Sequence, residues 1–258
     1  MAYRMDGHVS VVTGTATGIG RTIALRLATE GAHVVCGDVD GAGAERTAAE
    51  IVAAGGAAEA VRCDVSNADD VESMMLVAEQ LGGPTSIVSN AAVQYEETIE
   101  DTPPDEWDRV LGVNLRSVYL CARAAIPRRR RLGGGSIVNM ASVNGFWVEP
   151  ALGAYCAAKG GVINLTRAIA LENGKYGIRC NCICPGYVDT GMAQRYFDIQ
   201  PDAAAARDEA GRLHALGRIG RPEEIAAMAL FLCSDESSFC SAASFVVDGG
   251  LSAGVPAR

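Results

Sequence analysis

The sequence predicts an α/β protein: a doubly wound, parallel, seven-stranded sheet with helices on both faces. Three observations predict it. Short β-branched apolar runs alternate with stretches of helical period along the chain, the first run opens through a glycine-rich turn into a helix, and an acidic residue closes the second run. Strands that alternate with helices are joined by crossovers, and crossovers make neighbouring strands parallel. The 258 residues are read as one domain, 1–258, with room for a sizeable core.

The elements follow in order. Residues 8–13 (His-Val-Ser-Val-Val-Thr) form a short buried strand. The turn Gly14-Thr15-Ala16-Thr17-Gly18-Ile19-Gly20 leads into a helix over 21–30 with apolar residues at 23, 24, 27 and 28, stopped by Gly31. Residues 33–39 are the second strand, with Asp38 near its end. An Ala-rich helix over 42–54 and a third strand over 57–63 come next, then Asp64-Val65. Ser66 and Asp69 make a capping pattern for a helix running to 81. Residues 85–90 are the fourth strand, 107–125 a long helix, 135–142 the fifth strand and 155–172 another helix. A sixth strand over 178–184 ends at Pro185-Gly186. A helix over 222–232 and a seventh strand over 244–247 complete the alternation. Residues 191–216 read as an irregular insertion after the sixth strand. Ligands bind beyond the carboxyl ends of such strands, so this insertion is expected to cover a substrate.

Composition excludes several functions. The formal net charge of −9, with a pI near 4.9, argues against nucleic acid as a partner. The basic run 128–131 stands where a helix ends, and cations there read as a solvated helix terminus. No stretch of 18 apolar residues exists and residues 1–7 hold no signal-like run, so no membrane association and a cytoplasmic location are expected. The nine cysteines then read as reduced thiols. Cys180, Cys182 and Cys184 share one strand face without a nearby His partner; they read as small buried hydrophobes, and no metal is implied.

The first turn carries chemistry. Its glycines let the backbone bend sharply and approach a pyrophosphate, and the following helix offers unpaired N–H groups to it. The spacing is Gly-x-x-x-Gly-x-Gly, not the usual Gly-x-Gly-x-x-Gly. Asp38 lies 18 positions beyond Gly20, placed to accept the adenosine ribose hydroxyls and repel a 2′-phosphate. No Arg or Lys stands beside it to receive that phosphate, so NAD is favoured over NADP. Tyr155 and Lys159 are four apart, and on a helix they share one face. An ordinary Tyr ionises near pH 10, so only about one in a thousand is phenolate at neutral pH. A fixed ammonium favours phenolate, and a shift of about three units needs roughly 4 kcal/mol. One Lys alone supplies that with difficulty; the charge of a cationic cofactor ring would add to it. A Tyr tuned in this way is a general acid/base for alcohol–ketone interconversion.

With these motifs assembled, residues 8–250 resemble the short-chain dehydrogenase/reductase family, whose members have a Rossmann fold. Thr13-Gly14-x-x-x-Gly18-Ile19-Gly20 resembles the family's cofactor turn, Asp64-Val65 its adenine-holding pair, and Asn90-Ala91 the motif after the fourth strand. Asn114, Ser142, Tyr155 and Lys159 match the catalytic four, and Pro185-Gly186 with Val188 and Thr190 the nicotinamide-side loop. The resemblance implies that Tyr155 transfers the alcohol proton, that Lys159 lowers the Tyr pKa and bonds the nicotinamide ribose, and that Ser142 orients the substrate oxygen. It also implies that Asn114 holds a water linking Lys159 to solvent. Together with the turn, these make Gly14, Thr17, Gly18, Ile19, Gly20, Asp38, Asp64, Val65, Asn90 and Ala91 the expected cofactor residues. One departure is Ala92, where the family motif has Gly. The family commonly forms homotetramers, and the helices over 107–125 and 155–172, with Ala157, Ala158, Gly160 and Gly161, could meet symmetry mates.

The expected activity is hydride transfer between NAD(H) and a small-molecule secondary alcohol or ketone. Gln94, Asn144, Trp147, Glu149 and Tyr187 are the expected substrate-pocket residues. Phe146, Trp147 and Val148 suggest an apolar wall and a mostly apolar or cyclic alcohol. Glu149, seven residues after Ser142, resembles polyol dehydrogenases of the family, which makes a polyol or sugar the alternative. A 3-oxoacyl-carrier-protein reductase fits Asp38 poorly. A catalytically silent dinucleotide-binding regulator would be expected to have lost part of the catalytic set. A hydrolase built on Ser142, Asp189 and His214 lacks the Gly-x-Ser-x-Gly elbow.

Overall fold

A computed structural model describes residues 4–254. Its strands are β1 Val9–Thr13, β2 His33–Asp38, β3 Ala57–Arg62, β4 Ser86–Ser89, β5 Gly135–Met140, β6 Ile178–Pro185 and β7 Ser244–Val247. Its helices are α1 Gly18–Thr29, α2 Gly41–Ala53, α3 Ala68–Gln80, α4 Pro104–Leu111, α5 Ser117–Arg131, α6 Gly153–Asn173, α7 Gly191–Asp198, α8 Ala203–Leu213 and α9 Pro222–Cys233. The strands form one sheet in the order β3-β2-β1-β4-β5-β6-β7, and every neighbouring pair is parallel. The Rossmann architecture expected from the alternation is present strand for strand.

Successive strand residues point to opposite faces, so a strand covered on both sides must be apolar throughout. β1 shows this: all five residues are buried. Val12, with Val34, Val88 and Val138, faces α1, α2 and α9 through Ile23, Leu27, Ile51, Ile225 and Leu230. Val11, with Val35, Ile87 and Ile137, faces α3, α5 and α6 through Val71, Met74, Met75, Leu120 and Ile169. Burying one such side chain contributes about 1.5–3 kcal/mol. β3 lies at the sheet edge and keeps alternate residues exposed or half-buried, as one covered face requires.

Four local readings are corrected. Asn67, not Ser66, caps α3, its Oδ1 accepting the Asp69 and Asp70 N–H groups, while Ser66 donates both its N–H and hydroxyl to Asp64. The helix expected over 107–125 starts at Pro104 and runs to Arg131, interrupted by a π-helical turn, Gly112–Arg116. The basic run at its end is not solvated throughout. Arg128 is buried between Glu72, at 2.6 Å, and Glu79, at 2.8 Å; Arg129 is buried, and Arg130 lies over the Tyr176 ring. Residues 191–216 are not irregular: α7 and α8 fill most of the segment. Thr190 caps α7 by accepting the Ala193 N–H, and Asp202 caps α8 by accepting the Ala205 N–H.

Small residues on α6 serve packing within the chain. A Cβ on Gly161 would meet Leu115 at 2.8 Å, and one on Gly160 would meet the Gly145 carbonyl at 3.2 Å; Ala158 is buried. All nine cysteines are free thiols. Among the described residues no helix is long and apolar enough to cross a membrane, and no three His, Cys, Asp or Glu side chains group as a metal site.

Candidate active site

β1 and β4 are neighbours, yet the connections after them run to opposite sides of the sheet, because β2 lies to one side and β5 to the other. Such a reversal leaves a crevice beyond the carboxyl ends of the strands. A cavity of about 650 Å³ occupies it, and every expected cofactor residue from Gly14 to Thr190 lines it.

The turn after β1 is shaped for close approach. Gly14 has φ +74°, in the left-handed region that favours glycine. A Cβ on Gly20 would fall 2.0 Å from the Gly14 carbonyl and 2.5 Å from Asn90 Nδ2, so no side chain fits there. Thr17 precedes α1 but makes no side-chain cap, and no acidic residue lies in the first turn, so the helix's leading N–H groups face the cavity uncapped. Asp38 at the end of β2 accepts the Ala16 N–H at 2.8 Å and the Asp40 N–H at 2.9 Å, tying the turn to the neighbouring strand. Asn90 braces the same turn by donating to the Thr13 carbonyl at 2.9 Å, and Thr13 Oγ1 accepts the Asn90 and Ala91 N–H groups. Ala92 is absorbed without strain, since its φ is not positive. A cradle too close for any side chain, uncapped N–H groups and a carboxylate at the far rim fit a dinucleotide.

At the other end of the cavity lie Ser142, Tyr155 and Lys159. Lys159 is 2% exposed; its Nζ donates to the Met140 carbonyl at 2.7 Å and lies 5.5 Å from the centre of the Tyr155 ring. Burial depresses the Lys159 ammonium to about 8. Tyr155 keeps part of its surface open to the cavity, but the atoms packed around it push the phenol up to about 12, against a smaller opposing contribution from the Ser142 hydroxyl. Desolvation is the largest influence on this phenol, and burial weakens the Lys159 ammonium that the four-residue spacing offers as its counter-charge. Ser142 accepts the Asn144 N–H at 3.1 Å and donates to Asn144 Oδ1 at 3.3 Å.

Asn114 does not line the cavity. It is buried in the π-helical turn behind it, its Oδ1 accepting the Val93 N–H and its Nδ2 donating to the Val93 carbonyl, both at 2.8 Å. Each amide group makes one bond to the segment after β4, so the side chain braces that wall. Gln94, Asn144, Glu149 and Tyr187 line the cavity, but Trp147 does not. A tight turn over Val143–Gly145, closed by the Trp147 N–H on the Val143 carbonyl at 2.7 Å, throws the next residues outward. Phe146 and Val148 are 52% and 71% exposed, so the expected apolar wall does not form.

The sequence reading missed Tyr196 and Arg195 on α7, Arg109 on α4 and Leu251, all of which line the cavity. Thr190 before an amphipathic 191–198 was the available signal for the first two. The hydrolase arrangement is absent. Asp189 pairs with Arg207 at 2.7 Å, and buried His214 turns its Nδ1 to the Ala210 carbonyl at 2.7 Å.

Known proteins resemble this chain in sequence and fold. Residues 14–252 match the family described as enoyl-(acyl carrier protein) reductase. A solved short-chain type dehydrogenase/reductase from Mycobacterium marinum matches with a TM-score of 0.91 at 32% identity, over 98% of both chains. The chain belongs to the short-chain dehydrogenase/reductase family. Among its relatives in that family, meso-2,3-butanediol dehydrogenase of Serratia marcescens is 40% identical over 97% of this chain and 96% of its own. The 2-(S)-hydroxypropyl-CoM dehydrogenase 3 of Xanthobacter autotrophicus is 38% identical over 98% and 100%. As a short-chain dehydrogenase/reductase, the protein is an oxidoreductase that acts on a small molecule with a nicotinamide dinucleotide.

Proposed function

We propose that the protein interconverts a secondary alcohol and its ketone with NAD(H), and that Tyr155 is the general acid/base. The observation that carries this is the convergence, in one cavity, of the glycine cradle, Asp38 and the Ser142–Tyr155–Lys159 group. The cradle at Gly14–Gly20 would take the pyrophosphate, Asp38 the adenosine ribose, Asp64-Val65 the adenine, and Pro185-Gly186, Val188 and Thr190 the nicotinamide side. Asp38 supports NAD: a carboxylate already fixed by two N–H groups can accept ribose hydroxyls and repels a 2′-phosphate. Bound there, the nicotinamide accepts or supplies the hydride and, when oxidised, adds positive charge near the phenol.

The chain's own groups handle the proton. In reduction the neutral Tyr155 phenol donates to the ketone oxygen, and Ser142 donates a hydrogen bond to the same atom as charge develops on it. In oxidation Tyr155 takes the alcohol proton, which requires the phenolate that positive charge favours. Lys159 carries that charge from the same helix face. Asn114 acts at one remove, fixing the Val93 backbone beside the reacting centre.

A silent regulator is disfavoured because all four expected catalytic residues are present. An acyl-carrier-protein reductase is disfavoured by Asp38 and by the absence of an apolar wall. A cytoplasmic location accords with nine unpaired thiols. A homotetramer accords with apolar side chains left open on two separate faces, Tyr119 and Leu171 on α5 and α6, and Val246 with Phe239 near β7. Incubation with NAD and a panel of secondary alcohols at pH 9, followed at 340 nm, tests the activity. Growth of NADH absorbance with at least one alcohol is expected, and none across the panel overturns the reading.

A further inference from the structure

One cluster in the cavity has no part in the proton and hydride chemistry. Glu149 sits in the loop between Ser142 and Tyr155, and its Oε1 accepts two phenols, Tyr187 at 2.5 Å and Tyr196 at 2.7 Å. The first comes from the loop after β6, the second from α7, and all three residues line the cavity. The loop is held in place. Ala151 has φ +62°, an uncommon conformation for a residue with a Cβ, and its carbonyl accepts the Glu97 N–H at 2.9 Å. Backbone strain of this kind persists only where the surroundings fix it.

The second oxygen of this carboxylate, Oε2, has no hydrogen-bond partner among the described residues, and no Arg, Lys or His pairs with Glu149 there. Burial first, and the bond to Glu149 second, push both phenols up, Tyr196 to about 12. They stay protonated donors, so the carboxylate can only accept, and the acceptor left over is Oε2. Glu149 and Tyr155 line the same cavity, so one small substrate bound there can meet both.

We propose that Glu149 is a specificity-determining residue that accepts a hydrogen bond from a second hydroxyl of the substrate, so that the site selects diols over alcohols with one hydroxyl. This rests on the dehydrogenase reading above. A ligand that displaces water from Oε2 without offering a donor leaves a charged acceptor unpaired, and sites built around such a group reject analogues that lack the partner. A cationic ligand group fits less well, because Arg195 and Lys159 already line the same cavity.

The test is kcat/KM with NAD for 2,3-butanediol, 2,4-pentanediol, 2-butanol and 1-amino-2-propanol, in wild type, Glu149→Leu and Glu149→Gln. Wild type is expected to favour one of the diols over 2-butanol by at least tenfold. That ratio should fall at least fivefold in Glu149→Leu, and also in Glu149→Gln, which keeps the shape and carries the test if the Leu variant fails to fold. Turnover of 2-butanol as efficient as either diol, a preference for the amino alcohol, or a ratio that survives both substitutions overturns the proposal while leaving the dehydrogenase reading standing. No turnover of any alcohol by wild type overturns the dehydrogenase reading, and this proposal with it.

Discussion

Asp38→Asn removes one charge at the rim of the cofactor cradle, and its effect can be worked from the contacts. The carboxylate accepts two backbone N–H groups, from Ala16 at 2.8 Å and Asp40 at 2.9 Å. The Asn amide has one oxygen, so it keeps one of these bonds and presents NH₂ where the other acceptor stood. For a bound NAD, losing a hydrogen bond to a charged acceptor costs about 1.5–3 kcal/mol. For NADP, the variant loses a repulsion. Two unit charges about 4 Å apart interact by about 1 kcal/mol in bulk water and about 4 kcal/mol near a protein surface. Taking the low ends together gives about 2.5 kcal/mol, or roughly 50- to 100-fold in the ratio of kcat/KM for NAD over NADP. The assay is that ratio for wild type and variant with the same alcohol, alongside a thermal melt showing that the variant is folded. A wild type that prefers NADP, or a folded variant with an unchanged ratio, would refute the role given to Asp38.

Other outcomes follow from the same geometry. Gly20→Ala should weaken NAD binding at least tenfold by fluorescence titration, because its Cβ would meet backbone at 2.0 Å that no side-chain movement can relieve; unchanged affinity would show the cradle is looser than described. Asn114→Ala leaves the Val93 N–H and carbonyl without partners, a cost of about 2–4 kcal/mol, so the urea midpoint should drop; an unchanged midpoint would show that Asn114 does not brace this wall. Burial raises the Tyr155 phenol to about 12, so the folded state favours the protonated form, and the stability this group contributes is lost as pH climbs from 10 through 12. The ultraviolet difference between wild type and Tyr155→Phe should accordingly show no phenolate below about pH 11 without cofactor, and an earlier rise with saturating NAD. A midpoint under 10 in the cofactor-free protein would contradict the burial argument.

The sheet was legible because a strand buried on both faces must be apolar along its length, and β1, β2 and β4 leave no ambiguity of period. The cofactor crevice was legible because glycines such as Gly20 stand where only glycine fits, a constraint local to the turn. Side-chain direction was not. Nothing in Phe146-Trp147-Val148 says which way the chain leaves Ser142; the tight turn at Val143 decides that, and it turns an expected wall into exposed surface. The helical cover over 191–216 was read as irregular although 191–198 is amphipathic, and with it went Tyr196, whose partnership with Glu149 is a contact across 47 residues. The burial of Arg128 likewise depends on Glu72 and Glu79, distant in sequence. The raised pKa of Tyr155 comes first from desolvation, which only packing reveals, whereas spacing suggests only the neighbouring Lys159 charge.

The most direct test of the whole account is Tyr155→Phe, assayed for NAD reduction with the best alcohol from the panel and for NAD binding by fluorescence. The account predicts a fall in kcat of about 10²–10⁴, the range for loss of a general acid/base, with NAD affinity within a few-fold of wild type. A variant that turns over near the wild-type rate would contradict it.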